Sequence, residues 1–217
     1  MNRSSRLAAA LLAATAPAMA LALDGITDRP GDFLSTFAGS AASTDLDVIS
    51  ATVLYDPGAD LFKLTSTFSG DVGLTASALY VWGVNRGAGT AGFAAQGIDG
   101  VRFDRVVLLR PDGSGSVAGV GALADGSVTV SGATITALVP GALLESTGFA
   151  KRDYTWNLWP RDASFSGFAA ISDFAPDNAN FTTTIGIVPE PGSMAMMLAG
   201  LVLLGGGALR RGAVPRG

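Results

Sequence analysis

Between Asp45 and Val188 the apolar residues recur mostly at every second position. Phe62, Leu64 and Phe68 fall on one side of an extended chain, with Lys63, Thr65 and Thr67 on the other. Val101, Phe103, Val107 and Leu109 alternate with Arg102, Asp104 and Arg110, and Tyr154, Trp156 and Leu158 alternate with Asp153, Thr155 and Asn157. A period of two sends one set of side chains into a core and the other into water, the pattern of half-buried strands. Similar runs at residues 46–55, 77–84, 127–131, 133–139 and 181–188 bring the expectation to about eight or nine strands. Asp56-Pro57-Gly58, Ser69-Gly70-Asp71, Pro111-Asp112-Gly113, Asp125-Gly126 and Pro140-Gly141 separate them as turns. With no long helical pattern in this region, the fold class is all-β: an antiparallel two-sheet sandwich, jelly-roll or immunoglobulin-like in outline, with a barrel as the alternative. No internal repeat of fixed period is present, which argues against a solenoid or propeller. The glycine-rich stretch from Gly83 to Gly100 is poor in strand formers and reads as a long exposed loop.

Composition narrows the chemistry. The 217 residues include no His and no Cys, which removes disulfides, thiolate and imidazole metal ligands, and every catalytic triad with an imidazole base. Only 15% of residues are charged and 29 are Gly, a balance that suits turn-rich β structure.

The two ends follow other rules. Arg3 and Arg6 precede an apolar run from Leu7 to Ala16, and Ala18-Met19-Ala20 follows with small residues two apart. This is the layout of a secretory signal peptide, implying the Sec export machinery and signal peptidase as partners. Ala18 and Ala20 mark cleavage after Ala20, with Ala20-Leu21-Ala22 as a second site, so the mature chain begins at Leu21 or Leu23. At the other end, Val188-Pro189-Glu190-Pro191-Gly192 leads into an uncharged stretch that ends at Leu209, before Arg210, Arg211 and Arg216. Eighteen residues of helix, 192–209, measure about 27 Å against a hydrocarbon core of about 30 Å. The arginines then sit on the cytoplasmic side of the inner membrane as a positive-inside anchor, leaving everything before Pro189 outside. Pro189 and Pro191 keep the peptide extended, a shape that a processing enzyme can grip along its backbone.

These C-terminal residues resemble the PEP-CTERM sorting signal of Gram-negative bacteria: a Pro-Glu-Pro motif, a short transmembrane helix and a basic cluster. The resemblance covers about residues 188–217 and implies Pro189, Glu190 and Pro191 as the motif read by an exosortase. It also implies an association with exopolysaccharide and biofilm. The chain thus divides into a signal peptide (1–20), a β-sandwich ectodomain (21–187) and a sorting signal (188–217).

Without Arg3, Arg6, Arg210, Arg211 and Arg216, nine of the 14 basic residues remain against 18 acidic ones, a net charge of −9. An acidic exterior argues against nucleic acid as a partner and leaves divalent cations and neutral glycans open. Tyr80, Trp82, Tyr154, Trp156 and Trp159 could form a platform for sugar rings, although core packing produces the same spacing. Trp159, beside Pro160-Arg161-Asp162, is expected at an exposed strand end, making Trp159 and Trp156 the candidate glycan contacts.

No resident cofactor is expected. Oxygen-rich segments at residues 173–180, 56–60 and 112–114 raise Ca²⁺ as a weak candidate, but Asp and Asn serve turns equally well. Glycoside hydrolysis by paired carboxyls, drawn from Asp153, Asp162 or Asp173, is the enzymatic alternative, yet no spacing selects a pair. Ser-Lys chemistry would need Lys63 or Lys151, and neither stands in a recognisable motif. The sequence therefore points to an exported, sorted surface or matrix protein with a non-catalytic structural or adhesive domain, held at the inner membrane before processing.

Overall fold

The structure, a computed structural model, describes residues 25–188. The signal peptide with Ala18 and Ala20, the motif Pro189-Glu190-Pro191, the apolar run after it, and Arg210, Arg211 and Arg216 lie outside the described residues.

Fourteen strands are present among the described residues. The first seven are β1 (Ile26–Thr27), β2 (Val48–Asp56), β3 (Leu61–Phe68), β4 (Ala78–Asn85), β5 (Thr90–Phe93), β6 (Ile98–Phe103) and β7 (Arg105–Leu109). The others are β8 (Gly115–Val117), β9 (Gly121–Ala122), β10 (Val128–Ser131), β11 (Thr134–Pro140), β12 (Thr155–Asp162), β13 (Phe181–Thr182) and β14 (Thr184–Ile185). Short 3₁₀ turns are the only helical elements among the described residues. The expected Asp112-Gly113 and Asp125-Gly126 turns form with Gly113 and Gly126 at φ 81° and 78°, which a side chain would resist.

One sheet has the order β1-β2-β3-β11-β10, with β14 paired to β2; the other has the order β13-β12-β4-β7-β8-β9. Pairing is antiparallel throughout both sheets except for β14 on β2, which is parallel. Both sheets are open, each with edge strands, so the arrangement is a sandwich rather than a barrel. Val53, Phe62, Leu64 and Ile135 from the first sheet meet Tyr80, Trp82, Trp156 and Leu158 from the second in the main core.

The sheets differ in what covers their outer faces. In β3 and β11 buried and half-buried positions alternate strictly, and the outer face carries the cross-strand pairs Thr65–Thr136 and Thr67–Thr134. Central positions of β4 and β12 are buried on both faces. Their outer face carries a second apolar cluster of Val81, Val101, Trp159, Ile171 and Phe174, packed against Leu34, Phe93, Phe103 and Phe168. Phe93 and Ile98 of the covering layer come from the stretch expected to be a long exposed loop, and Leu34, Val101, Phe103, Phe168, Ile171 and Phe174 complete it. Residues 83–100 instead finish β4, form β5 and begin β6, and the β5–β6 hairpin lies on this face. Phe93 and Phe103 explain the difference: their rings, 5.5 Å apart, need an apolar surface, and Trp159 supplies it at 5.2 and 4.9 Å.

Candidate functional site

The segment that leads into the Pro-Glu-Pro motif is built into the first sheet. β14 pairs Thr184 with Leu54 and Ile185 with Tyr55. The Gly186 N–H then donates to the Tyr55 carbonyl at 3.1 Å, and the Val188 N–H donates to Asp56 Oδ2 at 2.9 Å. Val188 is buried, so ordered structure reaches the residue before Pro189. Asp56 also accepts from the Gly58 and Ala59 N–H groups at 2.8 and 3.1 Å, which makes the turn at residues 56–60 and the chain exit one unit. The Val188 N–H, with those of Ala59 and Gly58, holds the Asp56 carboxyl below the usual carboxylate range.

The aromatic residues are core. Tyr80, Trp82, Tyr154 and Trp156 are fully buried between the sheets, with Phe62 stacked on Tyr154 at 5.7 Å and edge-on to Trp156 at 5.5 Å. Trp159 departs from the expectation of an exposed strand end. It is 3% exposed, on the outer face of β12 beneath Phe93, Phe103 and Phe174. Its neighbour Pro160 pairs with Tyr80 in mid-strand, so the proline does not end β12. Neither Trp156 nor Trp159 presents a ring face to solvent.

The oxygen-rich segments divide. Asp112 Oδ1 accepts from the Ser114 N–H, and Asp60 pairs with Lys151 Nζ at 2.7 Å while accepting from the Tyr55 hydroxyl at 2.9 Å. Those at 112–114 and 56–60 are turn and ion-pair chemistry. In residues 173–180 the asparagines are fasteners: Asn178 Oδ1 accepts from the Gly100 N–H at 2.7 Å and Asn180 Oδ1 from the Arg102 N–H at 3.0 Å, tying the segment to β6.

The aspartates of that segment face elsewhere. Carboxylate oxygens of Asp28, Asp32 and Asp177 lie within 4.8 Å of one another, as do those of Asp32, Asp47 and Asp173. Asp32 belongs to both triads. Asp47 and Asp173 are 2% and 1% exposed, and main-chain donors hold them: the Gly31 N–H on Asp47 at 2.9 Å, the Val48 N–H on Asp173 at 3.0 Å. Burial, reinforced by the charges on Asp28 and Asp32, pushes the Asp173 carboxyl up to about 8. Burial likewise pushes Asp28 up to about 6, against the lowering effect of the Arg29 N–H, and raises Asp32. Sequence reading found Asp173 and Asp177 but missed Asp28, Asp32 and Asp47. The Asp28-x₃-Asp32 spacing was visible; that it meets a loop some 145 residues away was not.

The three aspartates considered for hydrolysis do not share a site. Asp153 is exposed, Asp162 accepts from the Ser77 and Ser164 hydroxyls, and of the three only Asp173 belongs to the cluster. Lys151 is committed to Asp60.

The described residues thus define an all-β, sandwich-like domain that reaches Val188, the residue before a proline-bounded acidic motif. Residues 188–211 match the family model of the PEP-CTERM protein-sorting motif. The motif implies an exosortase as processing partner and export with the C-terminal end held in the membrane. No curated protein matches the chain.

Proposed function

We propose that this chain is an exported cell-surface or matrix protein, released from a membrane anchor by an exosortase, whose β-sandwich acts as a non-catalytic structural or adhesive body among extracellular polysaccharides. The observation that carries this reading is the sorting motif at residues 188–211, joined without a linker to a folded domain. Sec export and signal peptidase act first at Ala18 and Ala20; Pro189, Glu190 and Pro191 are the processing motif; Arg210, Arg211 and Arg216 hold the tail on the cytoplasmic side. The structural role draws support from the buried aromatics, which serve the core, and from Asp153, Asp162 and Asp173, which lie apart rather than as a hydrolytic pair.

Replacing Pro189, Glu190 and Pro191 together by Ala tests the proposal. Export and signal-peptide removal should continue while C-terminal trimming stops, read as a larger mature mass. Trimming at the wild-type position in the triple variant would overturn sorting through this motif.

A further inference from the structure

Ile185 and Ile187 expose their side chains where the chain leaves the fold. Ile187 is 80% exposed, the most of any large apolar side chain among the described residues, and Ile185 is 50% exposed. We propose that this end of the domain, Ile185 and Ile187 with Arg152 nearby, rests on the phospholipid surface of the membrane that holds the tail. The inference deepens the sorting reading and rests on its membrane-held tail; it adds lipid as a partner of the folded domain itself.

The isoleucines are out of place on a strand that faces water. Exposure alternates along residues 185–187, with Gly186 half-buried and bonded to the Tyr55 carbonyl, so both isoleucines fall on one side of an extended chain. Further into the same sheet, the outer face of β3 and β11 carries Thr65, Thr67, Thr134 and Thr136 instead. A single exposed isoleucine is ordinary. Here two lie side by side, and Ile185 joins a hollow lined by Tyr55, Pro57, Ala150, Lys151 and Arg152.

Chain length says what lies opposite. Only Pro189, Glu190 and Pro191 separate Val188 from the uncharged stretch that begins at Gly192, and three residues reach about 10 Å. The headgroup region on each side of a bilayer is itself about 5–7 Å deep. With the uncharged stretch in the hydrocarbon, residues 185–187 are therefore within reach of the headgroups.

Charge suits a phospholipid without requiring an anionic one. Lys151 is matched by Asp60 at 2.7 Å, whereas Arg152 is exposed and forms no salt bridge among the described residues, with exposed Asp153 next to it. A guanidinium pairs bidentately with phosphate, which every phospholipid headgroup carries. Two isoleucines bury less than one acyl chain, and a single acyl chain gives only marginal binding. The contact therefore depends on the tail, which keeps it at high local concentration, and cutting the tail would free the domain from lipid as well.

The test uses the full chain reconstituted in vesicles of phosphatidylethanolamine and phosphatidylglycerol. The sequence has no Cys, so a nitroxide on Ile185→Cys or Ile187→Cys reports one position. Electron paramagnetic resonance should find each label open to oxygen and shielded from a water-soluble nickel chelate, as at lipid depth. A label on Asp112→Cys, in an exposed turn at the opposite end of β4 and β12 from Arg152, should be open to nickel. Arg152→Ser with Ile185→Ser should shift the label at 187 toward water although the tail is intact. Unchanged depth in that variant would mean that the tail alone carries the label there, and would overturn the contact. Labels at 185 and 187 as open to nickel as the one at 112 would overturn it too, and shielding from both reagents would assign the face to protein, a second copy or the chain's own tail. Vesicle flotation after a carbonate wash keeps the two readings apart. A chain that floats with water-exposed labels refutes the contact alone, whereas one that does not float refutes the membrane-held tail.

Discussion

Arg86 shows how a single residue can fasten three loops. Its Nε donates to Asp104 Oδ1 at 2.8 Å, its Nη1 to the Glu145 carbonyl at 2.8 Å, and its own carbonyl accepts from the Phe149 N–H at 2.8 Å. Asp104 in turn accepts from the Ala88 N–H and the Thr147 hydroxyl. Burial by itself would raise the Asp104 carboxyl, yet the hydrogen bonds from Thr147, Arg86 and Ala88 outweigh it and hold the group below the usual carboxylate range. Asp104→Ala should cost about 3–5 kcal/mol in urea unfolding, because it strands a guanidinium in a residue only 5% exposed. The sign of the pH effect follows from the lowered value. The stabilisation is present above the unfolded carboxyl's ordinary value near 3.9 and is lost as pH falls through the folded one. Wild-type stability should therefore drop on acidification below about pH 4, and the Asp104→Ala chain should lose less over the same window. Parallel losses in the two chains would place the acid sensitivity elsewhere.

At the level of elements, the contact between β4 and β12 decides how the second apolar layer is built. Gly83 lies in mid-strand, paired with Asn157 on one side and Val106 on the other. A Cβ added there would stand 2.3 Å from the Trp159 ring. A strand glycine often marks a close approach, and here an indole lies over the backbone. Gly83→Ala should destabilise by about 1–3 kcal/mol through overpacking, measured by denaturant unfolding with Trp fluorescence as a local report. A neutral change would mean that Trp159 can move aside freely.

The same pair of strands shows where the sequence could be read and where it could not. β3 and β11 were legible because one face is wet, so polarity alternates at every step. β2, β4 and β12 were placed by the residues that face the main core, although central positions of β4 and β12 are buried on both faces, while the alternation read through Val101 to Leu109 divides at Asp104 into β6 and β7. The β5–β6 hairpin was hidden because its glycines mimic a loop; its two phenylalanines have no partner until β12 is already in place. Trp159 failed for a related reason. Proline beside it suggested a strand end, but the opposite face of β12 is covered by a layer that local pattern does not announce. The carboxylate cluster was hidden most completely, since its members come from opposite ends of the domain and meet only when β2 and residues 173–177 are both positioned.

For the molecule as a whole, the decisive feature is the direct passage from fold to motif. On the proposed reading, only Pro189, Glu190 and Pro191 separate Val188 from the uncharged stretch at Gly192. Three extended residues reach about 10 Å. An enzyme cutting within that interval works in a slit between lipid and a folded body. A flexible Gly-Ser insert between Val188 and Pro189 should then speed trimming, followed by pulse-chase of the mature mass. Unchanged or slower trimming would show that the enzyme needs no such room.

On the same reading, so short a stalk would also limit orientation. The Val188 N–H is held by Asp56, and Pro57, Arg152 and Ile185 line a hollow beside that exit. While tethered, every copy would turn this same pole toward the bilayer and its opposite pole outward. A population planted in common alignment can meet its surroundings through one shared surface before the leash is cut.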